Sequence, residues 1–249
     1  MNSFLLAVQF LTILPLEIKT FKPEKLAWSL IFFPWVGLFL GLALAGLNIL
    51  LTSLGILPLA INIILVISLI IFTGGMHLDG LSDTSDAFFS GKDKKEMLEI
   101  MRDSRIGVMG ALSLISIILL KIAFLLSVDP VLKPMVLILM CTLGRWSSVL
   151  AIYLFPYARQ EGKVKLFKEG MNLKIFIIAL TSVIICVTAL FNIPGLVLLL
   201  IVSGFIYLTG KFICKKIEGI TGDALGATVE LTELVTLLIV CVAQGMING

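Results

Sequence analysis

The stretch LPLAINIILVISLIIFTGGMHLDGLSDTSD, residues 57–86, sets an apolar run directly before the only histidine of the chain and three aspartates. Residues 57–72 contain no charged side chain. An α-helix rises about 1.5 Å per residue, and about 20 apolar residues cross a hydrocarbon core of roughly 30 Å. We therefore interpret this run as a membrane span that ends where negative charge is concentrated.

The composition of the whole chain points to the same solvent. Of its 249 residues 59% are hydrophobic and 14% are charged, and the mean hydropathy is +1.13. No soluble globular class has this balance. Seven apolar stretches stand out: residues 26–51, 57–72, 106–126, 131–155, 173–191, 194–214 and 227–247. We predict one catalytic domain over residues 1–249, an all-α, polytopic integral membrane bundle of about seven (six to eight) transmembrane helices.

An eighth apolar stretch, residues 4–16, is shorter and contains Pro15 near its end. Its length fits an interfacial or re-entrant segment as well as a span. The sequence leaves the two alternatives open.

Basic residues orient the predicted spans, because short cytoplasmic loops carry an excess of Lys and Arg. Sixteen of the 19 basic residues fall in four alternate segments, residues 19–25, 92–105, 159–174 and 211–216. We assign these segments to the cytoplasm, together with a loop over residues 74–106 that holds the acidic motif. The uncharged C-terminal tail is then expected on the far side.

Several common kinds of site are not indicated. The cysteines lie within or at the ends of predicted spans and none has CxxC spacing, which argues against a disulfide framework and a zinc site. They are Cys141, Cys186, Cys214 and Cys241. The net charge of +3 is explained by the basic loops, so no nucleic-acid partner is expected.

Asp79, Asp83 and Asp86 are spaced i, i+4, i+7, which places their carboxylates within an arc of roughly 60° on a helix. Like charges this close repel one another at a membrane boundary. Several oxygen ligands on one face suit a hard divalent cation, and Mg²⁺ in particular. The alternative for Asp79 alone is a helix cap, and His77 is either a catalytic group, a support for the ligands or an ordinary boundary histidine.

A second acidic row lies in GDALGATVELTE, residues 222–233. Asp223, Glu230 and Glu233 are spaced i, i+7, i+10 and share one helical face. The positions of the basic residues put the start of this row on the same side of the membrane as Asp79. The two rows are therefore expected to line one cavity, which would hold two metals, or one metal and a cationic part of a substrate.

Basic residues lie between the two rows. Residues 92–107 predict a short amphipathic helix on the cytoplasmic surface, and Arg102, Ser104 and Arg105 follow it where the chain re-enters the membrane. Guanidinium groups near a helix start are typical of a phosphate site. Arg145 lies well inside a predicted span, where it needs an anionic partner; a substrate and a structural pair with Glu230 or Glu233 are both compatible.

Five ordered blocks together resemble the cobalamin synthase family, the adenosylcobinamide-GDP ribazoletransferases. The blocks are QFLTILPL (9–16), FFPWVGLFLG (32–41), residues 74–110, GRW (144–146) and residues 222–233. The resemblance extends nearly end to end and is most specific over residues 74–110.

The resemblance implies a multi-pass enzyme of the inner membrane with its active site facing the cytoplasm. Adenosylcobinamide-GDP and α-ribazole, or its 5'-phosphate, would give adenosylcobalamin or its phosphate and GMP, with Mg²⁺ required. Such a phosphoryl transfer depends mainly on positioning and on cations. The resemblance leaves open a homo-oligomer or an association with other cobalamin-assembly enzymes.

The implied roles fall on the residues already described. Asp79, Asp83 and Asp86 would hold Mg²⁺, and Arg102 with Arg105 would neutralise the leaving GMP. His77 or one aspartate, Asp83 included, would accept the hydroxyl proton. The remaining predicted binding residues are Ser104, Arg145, Asp223, Glu230 and Glu233.

Two other functions are alternatives. Phospholipid synthases of the CDP-alcohol phosphotransferase type also use an aspartate-rich helix and Mg²⁺, but Asp83 and Thr84 stand where those enzymes have an Ala-Arg pair. A cation transporter would place carboxylates mid-span within inverted repeats. Both acidic rows are instead predicted to enter from the cytoplasmic face.

Overall fold

The computed structural model describes residues 2–14 and 23–248, and the secondary structure there is helical. The helices are α1 Asn2–Leu11, α2 Pro23–Ser29, α3 Phe33–Ser53, α4 Pro58–Thr73, α5 Met76–Phe89, α6 Lys94–Ile100, α7 Val108–Ser127, α8 Lys133–Leu154, α9 Lys163–Gly170, α10 Leu173–Ile217 and α11 Gly222–Asn248. A 3₁₀ turn, Leu30–Phe32, joins α2 to α3. The predicted all-α class is confirmed. The four cysteines are free in the structure.

Counted by helices, the described part of the chain has five or six candidate spans, against a prediction of about seven (six to eight). Five described helical segments are long and apolar enough to cross a membrane: Lys25–Ser53, α7, α8, α10 and Gly222–Gly245 of α11. The count becomes six if α4 and α5, which are bent by 90°, form one broken span. With 16 residues, α4 is too short to cross alone. The predicted span over residues 57–72 is therefore half of a bent unit.

The helix α10 contains two of the predicted spans, because it folds back on itself. Asn192 has φ 50° and ψ −132°, which breaks the helix, and Pro194 follows it. Trp146 of α8 contacts both Phe176 (ring centroids 5.7 Å apart) and the Ser203 hydroxyl (3.3 Å from Nε1). These two residues would lie about 40 Å apart along a straight helix. The predicted stretches 173–191 and 194–214 are thus antiparallel arms, which a count by helices treats as one.

The helix α8 is the centre of the bundle. Its most apolar window is 94% buried, and α3, α10 and α11 pack around it. Glycines let α3 approach closely, since a Cβ at Gly41 would lie 2.5 Å from the Ile138 Cα and one at Gly37 would lie 2.8 Å from the Thr142 Cα. Small residues at helix contacts are typical of membrane bundles.

The bend between α4 and α5 positions the acidic helix. Gly74 and Gly75 have φ of 63° and 71°, a conformation that side chains other than glycine rarely adopt. After the bend, α5 packs on α7 and α11. A Cβ at Gly80 would lie 2.6 Å from the Asp223 carbonyl oxygen. Glycine at this crossing therefore brings the first acidic row against the start of α11.

The basic loops contact one another at one end of the bundle, and the loops between them lie at the other end, as the positions of Lys and Arg predicted. At one end, Lys94 of α6 pairs with Glu218 at 2.5 Å, and Arg159 pairs with Asp223 at 2.7 Å. At the other end, the Asp129 backbone N–H donates to the Gln244 side chain at 3.1 Å. The grouping of the loops is confirmed for residues 92–105, 159–174 and 211–216. Lys19 and Lys22 lie outside the described residues.

The helix α1 is too short to cross a membrane. Its 10 residues rise about 15 Å, roughly half of a hydrocarbon core. Leu6, Ala7 and Leu11 are buried against the bundle. Within the described part of residues 4–16, the chain thus packs as a short helix; residues 15–16 are not described.

Candidate active site

The first acidic row lies on one helix, as its spacing predicted. All three aspartates belong to α5, where Asp79 is exposed and Asp83 and Asp86 are half-buried. Asp79, Asp86 and Asp223 are close enough to Asp83 to repel its negative charge, and Arg159 is close enough to attract it. Four carboxylates from α5 and α11 therefore share one electrostatic environment.

Asp86 has a structural task that the sequence did not reveal. Its two carboxylate oxygens accept hydrogen bonds from the backbone N–H groups of Gly107 (2.7 Å) and Gly110 (2.8 Å). These donors lie at the start of α7, whose N-cap Gly107 has no side chain to satisfy them. A Cβ on either glycine would collide with the Asp86 carboxylate. Asp86 thus caps α7 from another helix.

Asp79 and Asp83 differ from Asp86 in having no such partner. Neither carboxylate accepts a hydrogen bond or forms an ion pair among the described residues. Nowhere in residues 2–14 and 23–248 do three or more His, Cys, Asp or Glu side chains gather as a ready metal site. The three-aspartate Mg²⁺ site stays a prediction.

Arg159 and Tyr157 complete the surroundings of Asp223. They lie in the segment between α8 and α9, and the Arg159 guanidinium pairs with Asp223 at 2.7 Å. Burial raises the pKa of Tyr157 above its usual value; Arg159 and Arg102 oppose this shift and Asp223 adds to it. The phenol thus stays protonated at neutral pH, and it donates to the Glu161 carbonyl oxygen at 3.1 Å.

The second acidic row is divided between two environments. Glu230 and Glu233 are buried inside the bundle, where Lys121 of α7 pairs with both at 2.6 and 2.5 Å. Arg145 of α8 also pairs with Glu233. A side chain at position 144 would strike Glu233, so Gly144 makes room for this contact. Two acids and two bases leave the group neutral, as a low-dielectric interior requires.

Of the two alternatives for Arg145, a substrate or a structural ion pair, the structure shows the ion pair with Glu233. Its side chain is fully buried, and two of its nitrogens, Nε and Nη2, have no partner among the described residues. The ion pairs of Glu230 and Glu233 likewise join them to protein side chains. Substrate binding by these three residues stays a prediction that no contact in the structure supports.

The predicted phosphate-binding residues lie on the surface. α6 confirms the amphipathic helix in a shorter form, and Asp93 caps it by accepting from the Glu96 backbone N–H at 3.0 Å. Arg102, Ser104 and Arg105 follow it and are exposed. Arg105 pairs with Asp103 at 2.5 Å and holds the pKa of that carboxyl below its usual range. Of the two arginines, Arg102 is the one close to Tyr157.

His77 is buried rather than exposed beside the aspartates. Its side chain is 6% exposed and lines a cavity of about 60 Å³ together with Phe10, Phe167 and Ser148. Gly226 permits this packing, because a Cβ there would lie 3.1 Å from the His77 carbonyl oxygen. The structure places His77 at the contact of α5 with α11, two residues before Asp79 and six before Asp83 on the same helix.

A family model described as cobalamin-5-phosphate synthase matches residues 3–241. The chain belongs to this family. Its similar relatives include proteins named adenosylcobinamide-GDP ribazoletransferase from Desulforamulus reducens, Clostridioides difficile and Klebsiella pneumoniae. Their identities are 40%, 35% and 36% over 98%, 96% and 95% of this chain, and 97%, 96% and 98% of the relatives. No solved structure matches the chain.

The family assignment confirms the resemblance read from the five blocks. In the cobalamin-5-phosphate synthase family the chain is a transferase of cobalamin biosynthesis, and its apolar helices make it a membrane protein. The structure adds residues that sequence reasoning had not placed in the site. Lys121 had no assigned role, and Arg159 was counted only as a loop charge. Two signals in the sequence were available. Lys121 lies inside one predicted span while two glutamates lie inside another, and Arg159 follows shortly after the end of a predicted span.

Proposed function

We propose that the protein is a Mg²⁺-dependent adenosylcobinamide-GDP ribazoletransferase. It joins adenosylcobinamide-GDP to α-ribazole or its 5'-phosphate, and it releases GMP. The names of the relatives support the substrates. The observation that carries the chemistry is a pair of carboxylates, Asp79 and Asp83, that have no partner in residues 2–14 and 23–248 and lie beside the Arg159–Asp223 ion pair. CDP-alcohol phosphotransfer and cation transport, the other functions considered, gain no support from these relatives.

The residues present suit Mg²⁺, which proteins usually hold by one or two carboxylates, waters and substrate phosphates. Asp79 and Asp83 offer oxygens that no other described side chain or backbone group engages, whereas both oxygens of Asp86 accept hydrogen bonds at the start of α7. Asp79 and Asp83 would therefore hold the ion, and Asp86 would keep the start of α7 in place beside them. The ion would neutralise negative charge on the diphosphate of the substrate.

The chain's own residues position the reactants and manage charge. Arg102 supplies positive charge on the side of Tyr157, and its exposure leaves it accessible to a nucleotide. The acceptor hydroxyl loses its proton to a nearby base. Burial of His77 favours one of the aspartates over the imidazole for this step.

The active site faces the cytoplasm of the cell in this proposal. Three basic segments meet at the end of the bundle that carries Asp79, Asp83 and Asp223, and basic loops mark the cytoplasmic side. A bacterial inner membrane is the membrane proposed. Cysteine labelling of intact cells tests this: Ser90→Cys should be inaccessible from outside, and labelling there would contradict the orientation.

The decisive assay uses the purified protein in detergent with Mg²⁺, adenosylcobinamide-GDP and α-ribazole, scored for GMP release. We expect turnover that a chelator abolishes and added Mg²⁺ restores. A surface variant at the same end, Glu169→Gln, is the matched control and should keep full turnover, since this carboxylate is exposed. A folded sample without GMP release would overturn the proposal, and CMP release from a CDP-alcohol would favour the phospholipid synthase.

A further inference from the structure

Arg159 is held firmly beside the aspartates by backbone pairing. The Ala158 backbone N–H donates to the Ile220 carbonyl oxygen at 2.9 Å, and the Ile220 N–H donates to the Pro156 carbonyl oxygen at 2.8 Å. Gly219 permits the approach, because a Cβ there would lie 2.7 Å from the Pro156 carbonyl oxygen. The segment before α9 is thus tied to the segment before α11, and Arg159 follows at once.

The Arg159 side chain has unused hydrogen-bonding capacity. It is 13% exposed, and its Nη2 pairs with the Asp223 carboxylate at 2.7 Å. Its Nε is buried and has no partner among the described residues. A guanidinium is a planar fork of five N–H donors, and a buried donor without an acceptor is unfavourable. The ion pair with Asp223 therefore leaves part of the fork ready for another anion.

The charges around Arg159 indicate what that anion is. Asp83 lies close enough to attract the guanidinium, and Arg102 from the α6–α7 segment shares its proximity to Tyr157. Arg159 thus lies near Asp83, a carboxylate suited to a cation, and a second arginine, Arg102, approaches the same segment at Tyr157. A diphosphate ester that carries a divalent cation complements both sets of charges, because guanidinium groups bind phosphate oxygens in a fork geometry.

We propose that Arg159 binds the diphosphate of the nucleotide donor, with Asp223 holding the guanidinium in place. This rests on the proposed function. In the transfer, the acceptor hydroxyl oxygen forms a bond to the phosphorus attached to the cobinamide arm. The bond from that phosphorus to the bridging oxygen breaks, and its electron pair leaves with GMP. The hydroxyl proton passes to a carboxylate. Arg159 neutralises the charge that grows on the leaving phosphate.

The test separates binding from turnover. Arg159→Gln removes the charge and keeps an N–H donor for Asp223; Arg159→Lys keeps the charge but loses the planar fork. Lys163→Gln is the matched control, since it removes an exposed charge from the start of α9. Each variant is checked for folding by thermal melting. It is then measured for affinity toward a fluorescent GDP analogue with Mg²⁺ and for kcat and KM of both substrates.

We expect Arg159→Gln to lower the affinity for the GDP analogue about 10-fold or more. It should also lower kcat/KM for the donor by roughly 10²–10³-fold. The KM for α-ribazole should stay near the wild-type value. Arg159→Lys should recover part of the loss, guanidinium ions should partly rescue Arg159→Gln, and Lys163→Gln should behave as wild type.

A folded Arg159→Gln protein with wild-type analogue affinity and donor KM would overturn the proposal and leave Arg159 as a structural link between two loops. If Arg159→Gln fails to fold, Arg159→Lys decides: unchanged donor KM would overturn the proposal. A wild-type protein that binds the analogue in an Arg159-dependent way but releases no GMP would refute the ribazoletransferase function and retain the phosphate-binding role.

Discussion

The two acidic rows look alike in the sequence and have different surroundings in the structure. On α5, Asp79 and Asp83 have no partner among the described residues. On α11, Glu230 and Glu233 are buried and paired with Lys121 and Arg145. Spacing along a helix therefore identifies which carboxylates share a face. It does not identify which of them are available to a ligand.

The difference follows from the depth at which each row enters the bundle. The row on α5 lies where three loops meet and water reaches Asp79. The row on α11 continues from Asp223 into the interior, where Glu230 and Glu233 lie about two and three turns further on and an unpaired charge is strongly unfavourable. Cations from two other helices therefore accompany the buried glutamates, and their net charge is zero.

The largest expected effect concerns Asp83. Asp83→Asn keeps the size of the side chain and removes an oxygen charge proposed to bind Mg²⁺, so GMP release should fall by about 10³-fold or more. The melting temperature should be unchanged or slightly higher, because repulsion by Asp79, Asp86 and Asp223 is relieved. Glu169→Gln is the control. Wild-type turnover in a folded Asp83→Asn protein would remove the distinction between the rows.

Glu233→Gln tests the buried row. It leaves Lys121 and Arg145 with one carboxylate between them, and breaking a buried pair costs roughly 3–5 kcal/mol of unfolding free energy. Thermal and denaturant unfolding in detergent should show the loss, and a second change, Lys121→Met, should recover part of it by restoring neutrality. A stable Glu233→Gln protein without turnover would instead make Glu233 a substrate-binding group.

Asp86 is intermediate between Asp83, which has no partner among the described residues, and Glu233, which is buried and paired, since Asp86 caps α7. Asp86→Ala removes the acceptor for the Gly107 and Gly110 N–H groups and should cost about 1 kcal/mol of unfolding free energy. Asp86→Asn should cost less, because its amide oxygen still accepts. GMP release should fall far less for Asp86→Asn than for Asp83→Asn. Equal losses of turnover would place Asp86 among the metal ligands.

The smallest expected effect separates the two surface arginines. Arg105 is occupied by Asp103 and its side chain is 88% exposed, whereas Arg102 lies near Tyr157. Arg102→Gln should raise the KM for adenosylcobinamide-GDP, and Arg105→Gln should leave it nearly unchanged because exposed ion pairs contribute little. The reverse order of KM values would show that Arg105 turns toward the nucleotide and leaves Asp103.

Much of the fold could be predicted from the sequence. Apolar runs located the helices, and the basic residues grouped the loops at one end, as the Lys94–Glu218 and Arg159–Asp223 pairs confirm. The exact spans were harder to predict. Hydropathy does not show that two glycines bend α4 into α5 by 90°, or that α10 breaks at Asn192 and doubles back as two antiparallel arms.

For the candidate site, the sequence predicted the shared face of the aspartates and left open a pair of Arg145 with Glu230 or Glu233, but it did not show the other pairings. The i, i+4, i+7 spacing correctly placed three aspartates on one helix. The cap that Asp86 provides to α7 depends on residues 21 and 24 positions away, which no local pattern records. The same holds for Arg159, whose partner Asp223 lies 64 residues further along the chain.

By itself, the sequence determined the lipid solvent, the helical class and the shared face of each acidic row, because these depend on composition and on the periodicity of one helix. The tertiary structure alone decided which acids are paired. Lys121 and Arg145 reach Glu233 only through the packing of α7 and α8 on α11. The bend at Gly74 and Gly75 keeps Asp79 and Asp83 at the end of the bundle where the basic loops meet. Availability of a carboxylate is a property of neighbouring helices, and local spacing carries no information about them.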